Sequence, residues 1–268
     1  MDVKRLITAV IGLPAVILVF LFGNRYVIDL VILGVSIICM YEYFHAIKKV
    51  CNPVKWVGYL SSVYMTAIAL VSDQLLFMKL LVYYIPVLVL ILFLHVIITN
   101  MKITLKDIAY TLIGIIYVPL FIMFLELIRC LEHGKVLIGY VFVVSWATDI
   151  FAYIIGKNFG KHKFSKVSPK KSIEGCIAGT IGAVILMLGY TYFANTYWGV
   201  SYSYGYIAII GVILSLIGQI GDFSASSIKR YVDIKDFSNL IPGHGGMLDR
   251  IDSLLFLAPF AYALFTLL

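Results

Sequence analysis

The chain has 268 residues, of which 62% are apolar and only 13% are charged, and its mean hydropathy is +1.01. So little polar surface cannot solvate a globule of this size, which excludes a water-soluble domain and leaves an integral membrane protein. The net charge of +7 does not point to nucleic acid, because no basic stripe interleaves with aromatics on a soluble module. In a membrane protein, basic loops report topology and contact with anionic headgroups.

Nine apolar stretches are long enough, or nearly so, to cross ~30 Å of hydrocarbon as helices. In chain order they cover residues 6–22, 26–47, 56–72, 80–98, 108–128, 136–155, 175–194, 204–221 and 251–268. Lys4-Arg5 ahead of the first stretch resembles a signal peptide, but no small-residue cleavage site follows, so that stretch is read as an uncleaved span. The expected fold is all-α: a polytopic integral membrane protein of about nine transmembrane helices with a polar site at the cytoplasmic face. It forms one helical domain over 1–268, with N-terminal helices to residue 134 and a catalytic half over 135–268.

Nine spans put the termini on opposite sides of the bilayer. Seventeen Lys and Arg residues then fall on one side, among them six lysines between 157 and 171, and four (Arg25, Lys79, Arg129, Lys135) on the other. The positive-inside rule makes the N-terminus and the 156–174 and 222–250 loops cytoplasmic, and puts the C-terminus outside. A miscounted span would scramble this asymmetry. Cys39, Cys51, Cys130 and Cys176 lack C-x-x-C spacing and read as unpaired thiols, and the five scattered histidines lack a zinc motif.

The chemistry is expected after residue 140, in two polar constellations. In the first, Gln219, Asp222, Ser226, Lys229 and Asp233 recur at helical offsets, forming one stripe of a helix that leaves the membrane. A carboxylate at such a place needs a cation, and an interfacial pair of Asp222 with Lys229 or Arg250 is the plainest candidate. The turn Pro242-Gly243-His244-Gly245-Gly246 follows, with glycines that admit close backbone approach, and then Asp249, Arg250 and Asp252 open the last helix. The N–H groups at that helix start are expected to face the cytoplasm and favour phosphate. Two carboxylates from separate helices, Asp222 and Asp249, suit a divalent cation carrying phosphates, for which Mg²⁺ is the natural choice.

The second constellation runs from Asp149 through Tyr153 and Gly156 to Ser168-Pro169-Lys170-Lys171-Ser172-Ile173-Glu174-Gly175. Most of its lysines read as topology-setting, but Lys170 and Lys171 are adjacent donors suited to a triphosphate. Gly160-Lys161 lacks the Ser or Thr and the upstream glycine of a P-loop. Elsewhere Glu42 and Asp149 fall toward cytoplasmic helix ends, while Asp29 and Glu126 lie toward the outer face and read as interfacial. The spacing of Gly175, Gly179 and Gly182 suits close packing of that helix, either within the chain or in a homodimer.

The sequence resembles the phosphatidate cytidylyltransferases, or CDP-diacylglycerol synthases. Ser226, Lys229-Arg230, Lys235-Asp236, Pro242 to Gly246 and Asp249-Arg250-Ile251-Asp252 follow that family's signature, and the Asp149–Gly156 and Ser168–Gly175 stretches match it as well. Ala225 departs from it, since many relatives carry Glu there. The resemblance implies transfer of CMP from CTP to phosphatidate at the lipid bilayer. It assigns the metal mainly to Asp222 and Asp249, and implies a second, monovalent cation such as K⁺. Lys229, Arg230 and Arg250 would stabilise phosphate. Lys170, Lys171, Ser226, Gly243, His244, Gly245, Gly246, Asp149 and Tyr153 would line the substrate site. A transporter or channel is the rival reading, weakened because the polar groups gather at one membrane face. Another CTP-dependent lipid enzyme is a second rival.

Overall fold

A computed structural model of the chain describes residues 19–20, 23–163, 168, 171–241, 243 and 245–268. The described residues are helical, with two isolated β-bridges, Lys163 to Ser172 and Ile241 to Gly245. The helices are α1 (Arg25–Ile47), α2 (Lys55–Ala69), α3 (Gln74–Ile98), α4 (Leu105–Ile115), α5 (Phe121–Cys130), α6 (Gly134–Phe159), α7 (Ile173–Tyr197), α8 (Tyr204–Tyr231) and α9 (Leu248–Phe265). A π-helical turn, Ile116–Leu120, joins α4 to α5 at Pro119, whose missing N–H and bulky ring interrupt the α ladder.

Six of these stretches are long and apolar enough to cross a membrane: α1, α3, the continuous Leu105–Cys130, α6, α7 and α8. The chain is thus a multi-pass membrane protein. Two of the nine expected spans are shorter or more polar. Helix α2 has 15 residues, about 22 Å at 1.5 Å per residue, and α9 carries Asp249, Arg250 and Asp252 within its first five residues. The expected span 6–22 lies outside the described residues except for Val19 and Phe20.

The chain divides into two compact units, Met1–Glu126 with Val232–Arg250, and Leu127–Tyr231 with Ile251–Leu268. In the first unit α1, α2 and α4 pack together, tied by a Ser36–Ser62 hydroxyl bond of 3.0 Å and by Tyr43, whose hydroxyl donates to the Tyr110 carbonyl at 2.9 Å. Thr104 and Asp107 close a capping box that starts α4. Helix α3 buries only Leu88 and Leu92 and is apolar all round, as a lipid-facing helix must be. Asp29 and Glu126, expected toward the outer face, belong to this unit and are buried at 8% and 1% exposure.

In the second unit α6, α7 and α8 form the packed body. The glycine stripe of α7 is what lets two backbones touch. A methyl added at Gly175 or Gly179 would meet carbonyls of α6 (Ala152 and Thr148) at 2.8 Å, and one at Gly182 would strike the Phe151 ring at 2.3 Å. The stripe is spent on packing within the chain, so it is not a free face for a homodimer. Tyr140, Tyr190, Tyr202, Phe193 and Trp198 cluster at the other end of this unit, the composition of a membrane-interface belt.

Candidate active site

Helix α8 carries Asp222 and continues to Tyr231. Hydropathy falls after Gly221, but residues 222–231 contain neither Gly nor Pro, so leaving the membrane does not end the helix. The stripe therefore holds for Gln219, Asp222, Ser226 and Lys229. It fails at Asp233, which lies past the helix end with a left-handed φ of 52°. Gln219 is a packing residue, its amide donating to Thr180 Oγ1 at 3.0 Å and to the Cys176 carbonyl at 3.3 Å. Ala225 is fully buried, while Ser226 is half-buried, Lys229 buried and Arg230 exposed.

The partner of Asp222 is Lys171, not the expected Lys229 or Arg250. Lys171 Nζ donates to Asp222 Oδ2, and both side chains are about three-quarters covered. The same ammonium lies 4.6 Å from the centre of the Phe223 ring. Burial pushes the Lys171 pKa down. The carboxylates of Asp149 on α6 and Asp252 on α9 oppose that shift, and Lys229 adds to it. Three helices thus contribute carboxylates around one lysine.

The loop before α7 sets that lysine in place. Lys171 N–H donates to the Ser168 carbonyl at 3.1 Å, and Ser172 caps α7 by accepting from the Gly175 N–H at 3.1 Å. Glu174 holds the loop from its other side, accepting from the His162 backbone N–H at 3.2 Å and facing His162 Nδ1 at 2.6 Å. Lys170 lies outside the described residues. Tyr153 stands apart on α6, 66% exposed, with Lys157 Nζ 5.8 Å above its ring.

In the first unit the segment 232–250 forms its own constellation. Ile241 and Gly245 exchange two backbone hydrogen bonds, of 2.9 and 3.1 Å, which closes the glycine turn. Gly243 and Gly245 sit at φ of 79° and 86°, conformations that L side chains rarely adopt. Pro242 and His244 lie outside the described residues. Asp249 is buried, and its Oδ2 accepts from the N–H groups of Phe237 at 2.8 Å and Gly246 at 3.0 Å, so one oxygen of this expected metal ligand braces the loop. Arg250 is exposed.

Glu42, which the sequence places toward a cytoplasmic helix end, is 1% exposed and holds the start of α9. Its carboxylate accepts from Leu248 N at 2.7 Å, Met247 N at 2.9 Å and Ser238 Oγ at 2.6 Å. The helix N-terminus expected to take phosphate is therefore occupied by a carboxylate of the chain itself. Gly246 is required there, because an added methyl would lie 2.7 Å from a Glu42 oxygen. Beside it a cavity of about 370 Å³ is lined by Tyr41, Glu42, His45, Lys49, Asp236 and Asn239, among others.

Among the described residues no group of three or more His, Cys, Asp and Glu side chains is placed to hold a metal ion by itself. Asp222 nonetheless fits Mg²⁺ chemically: it is a hard oxygen donor already paired with a cation, and Mg²⁺ commonly takes one or two carboxylates and completes its shell from water and phosphates.

Residues 3–268 match the family described as the cytidylyltransferase family. A protein of Bacillus subtilis (strain 168) named phosphatidate cytidylyltransferase is 36% identical over 181 residues, 67% of this chain and 66% of that protein. One of the same name from Staphylococcus aureus (strain COL) is 37% identical over 166 residues, 62% of each chain. The match thus spans just under two thirds of these relatives' lengths. With the family match running over nearly its whole length, this chain belongs to the cytidylyltransferase family.

Proposed function

We propose that the protein is a phosphatidate cytidylyltransferase, transferring CMP from CTP to phosphatidate to give CDP-diacylglycerol and pyrophosphate. The observation that carries this reading is the mostly covered pair of Asp222 and Lys171, within the electrostatic reach of Asp149 and Asp252, on family-matched segments of a multi-pass membrane protein. The names of the relatives agree with it.

A phosphate oxygen of the lipid attacks the α-phosphorus of CTP, a new P–O bond forms, and the bond to the bridging oxygen of the β-phosphate breaks to release pyrophosphate. A phosphate monoester is ionised at neutral pH, so no general base is needed. The barrier lies in bringing two polyanions together, and catalysis rests on charge neutralisation and in-line positioning. Asp222 would hold Mg²⁺, which supplies charge stabilisation to the nucleotide phosphates when bound. Asp149 and Asp252 keep the cluster anionic enough to draw a cation. Lys171, with Lys170, reaches the triphosphate, and Lys229 and Arg230 follow on the same helix to stabilise the entering phosphate or leaving pyrophosphate. Asp249, which the resemblance also assigns to the metal, fixes the 237–246 loop through its Oδ2.

In the proposed topology nine spans place the N-terminus, the 160–172 loop and the 232–247 loop in the cytoplasm, where CTP is found, while the lipid enters sideways from the bilayer. The test is incubation of the purified protein with labelled CTP, phosphatidate and Mg²⁺. A lipid-soluble cytidine product, formed with equimolar pyrophosphate, is expected. Absence of both in a folded preparation would sink the reading.

A further inference from the structure

Asp222 and Lys171 are 51 positions apart and pair in a half-buried setting. Besides its bond to Asp222, Lys171 feels the charges of Asp149, Asp252 and Lys229, and these three carboxylates and two ammonium groups sum to one net negative charge. A divalent cation arriving while Lys171 stays would leave a net positive charge beside a pair that is three-quarters covered. With Lys171 withdrawn, the same cation makes the cluster neutral. The geometry allows that withdrawal. Lys171 lies outside any helix, its backbone is pinned by Ser168 and by the cap at Ser172, and its four-carbon stem is the movable part.

We propose that Lys171 is the resident counter-cation of Asp222: it competes with the divalent cation, and nucleotide phosphates draw its ammonium away, so that cation and nucleotide bind cooperatively. This deepens, and rests on, the cytidylyltransferase reading. The positively charged end of Lys171 thereby has two stations, Asp222 in the resting protein and phosphate in the loaded one. Each ligand makes room for the other, and by linkage the gain is reciprocal.

The test is titration of the purified full-length chain in lipid nanodiscs with Mn²⁺, its binding followed by electron paramagnetic resonance with and without α,β-methylene-CTP. The wild type should bind Mn²⁺ about tenfold tighter when the analogue is present. Lys171→Met should bind Mn²⁺ about tenfold tighter without nucleotide and lose most of the analogue's effect. Lys171→Arg keeps the charge and should keep weak nucleotide-free binding. Lys163→Met, which removes an exposed lysine of the same loop, should match the wild type, and Asp222→Asn should abolish the tight site. Unchanged or weaker nucleotide-free Mn²⁺ binding in folded Lys171→Met overturns the proposal. If that variant does not fold, equal Mn²⁺ affinity of the wild type with and without the analogue overturns it. Tighter metal binding in Lys171→Met with no response to the analogue in any variant preserves the competition at Asp222 and overturns the nucleotide reading instead.

Discussion

The Glu42 carboxylate accepts the backbone N–H of Leu248 at 2.7 Å across 206 positions of sequence. A helix N-terminus leaves N–H groups without partners, and a carboxylate satisfies them while complementing the dipole. Here α1 supplies that carboxylate to α9 and fixes the signature turn through Ser238 as well.

Removing the Glu42 carboxylate should therefore destabilise the protein rather than only slow it. Glu42→Ala strands two backbone donors and the Ser238 hydroxyl and should cost about 2 kcal/mol or more. Glu42→Gln, which keeps one acceptor oxygen, should cost less. Ser238→Ala removes the hydroxyl that donates to Glu42 and accepts from the exposed Leu240 N–H, and should cost about 1 kcal/mol. Thermal unfolding in a mild detergent checks the order; equal melting temperatures for wild type and Glu42→Ala would contradict it.

Asp222 and Asp249 should respond differently to substitution. Asp222→Asn leaves the packing intact and should lower turnover at least ~100-fold with little change in melting temperature. Asp249→Ala removes the acceptor for Phe237 and Gly246 and should lower both turnover and melting temperature. Steady-state assays at limiting Mg²⁺, paired with melts of each variant, separate the two.

Much of the fold is legible in the sequence because hydropathy depends on composition over a turn or two, and helices α1 to α9 fall where apolar runs predict them. What the sequence does not show is set by long-range pairing. Nothing near Asp222 announces Lys171, and nothing near Leu248 announces Glu42, since either carboxylate could have met several cations or donors. The true end of α8 is hidden for another reason: the apolar signal stops at Gly221, whereas the backbone has no cause to stop until Tyr231. In the glycine turn, Gly243 and Gly245 meet a backbone demand that is visible only once their φ values are known.

The α7 glycines allow a matched comparison on one helix. Gly182→Ala drives a methyl into the Phe151 ring and should cost about 1–3 kcal/mol, with expression falling accordingly. Gly189 has open space around it, so Gly189→Ala should be neutral or stabilise by about 0.5–1 kcal/mol through helix propensity. Similar melting temperatures for the two variants would remove the close α6–α7 approach.

The proposed topology predicts opposite labelling at two exposed positions of a variant lacking the four native cysteines. Lys161→Cys should be protected from an impermeant thiol reagent in intact cells, and Ser201→Cys, between α7 and α8, should be labelled. The reverse pattern would put the Asp222 cluster on the side without CTP.

Helix α3, with only two of its 25 residues buried, is held by the bilayer more than by the protein. Its length, about 37 Å at 1.5 Å per residue, exceeds a hydrocarbon layer of about 30 Å, so in an ordinary membrane it must lean or push its ends into the headgroups. Thickening the bilayer lets it stand upright and thinning it forces a steeper lean, through the hairpin that joins it to α2. Acyl-chain length in the surrounding membrane is thus a mechanical input to the first unit, acting on a helix that carries none of the residues assigned to the chemistry.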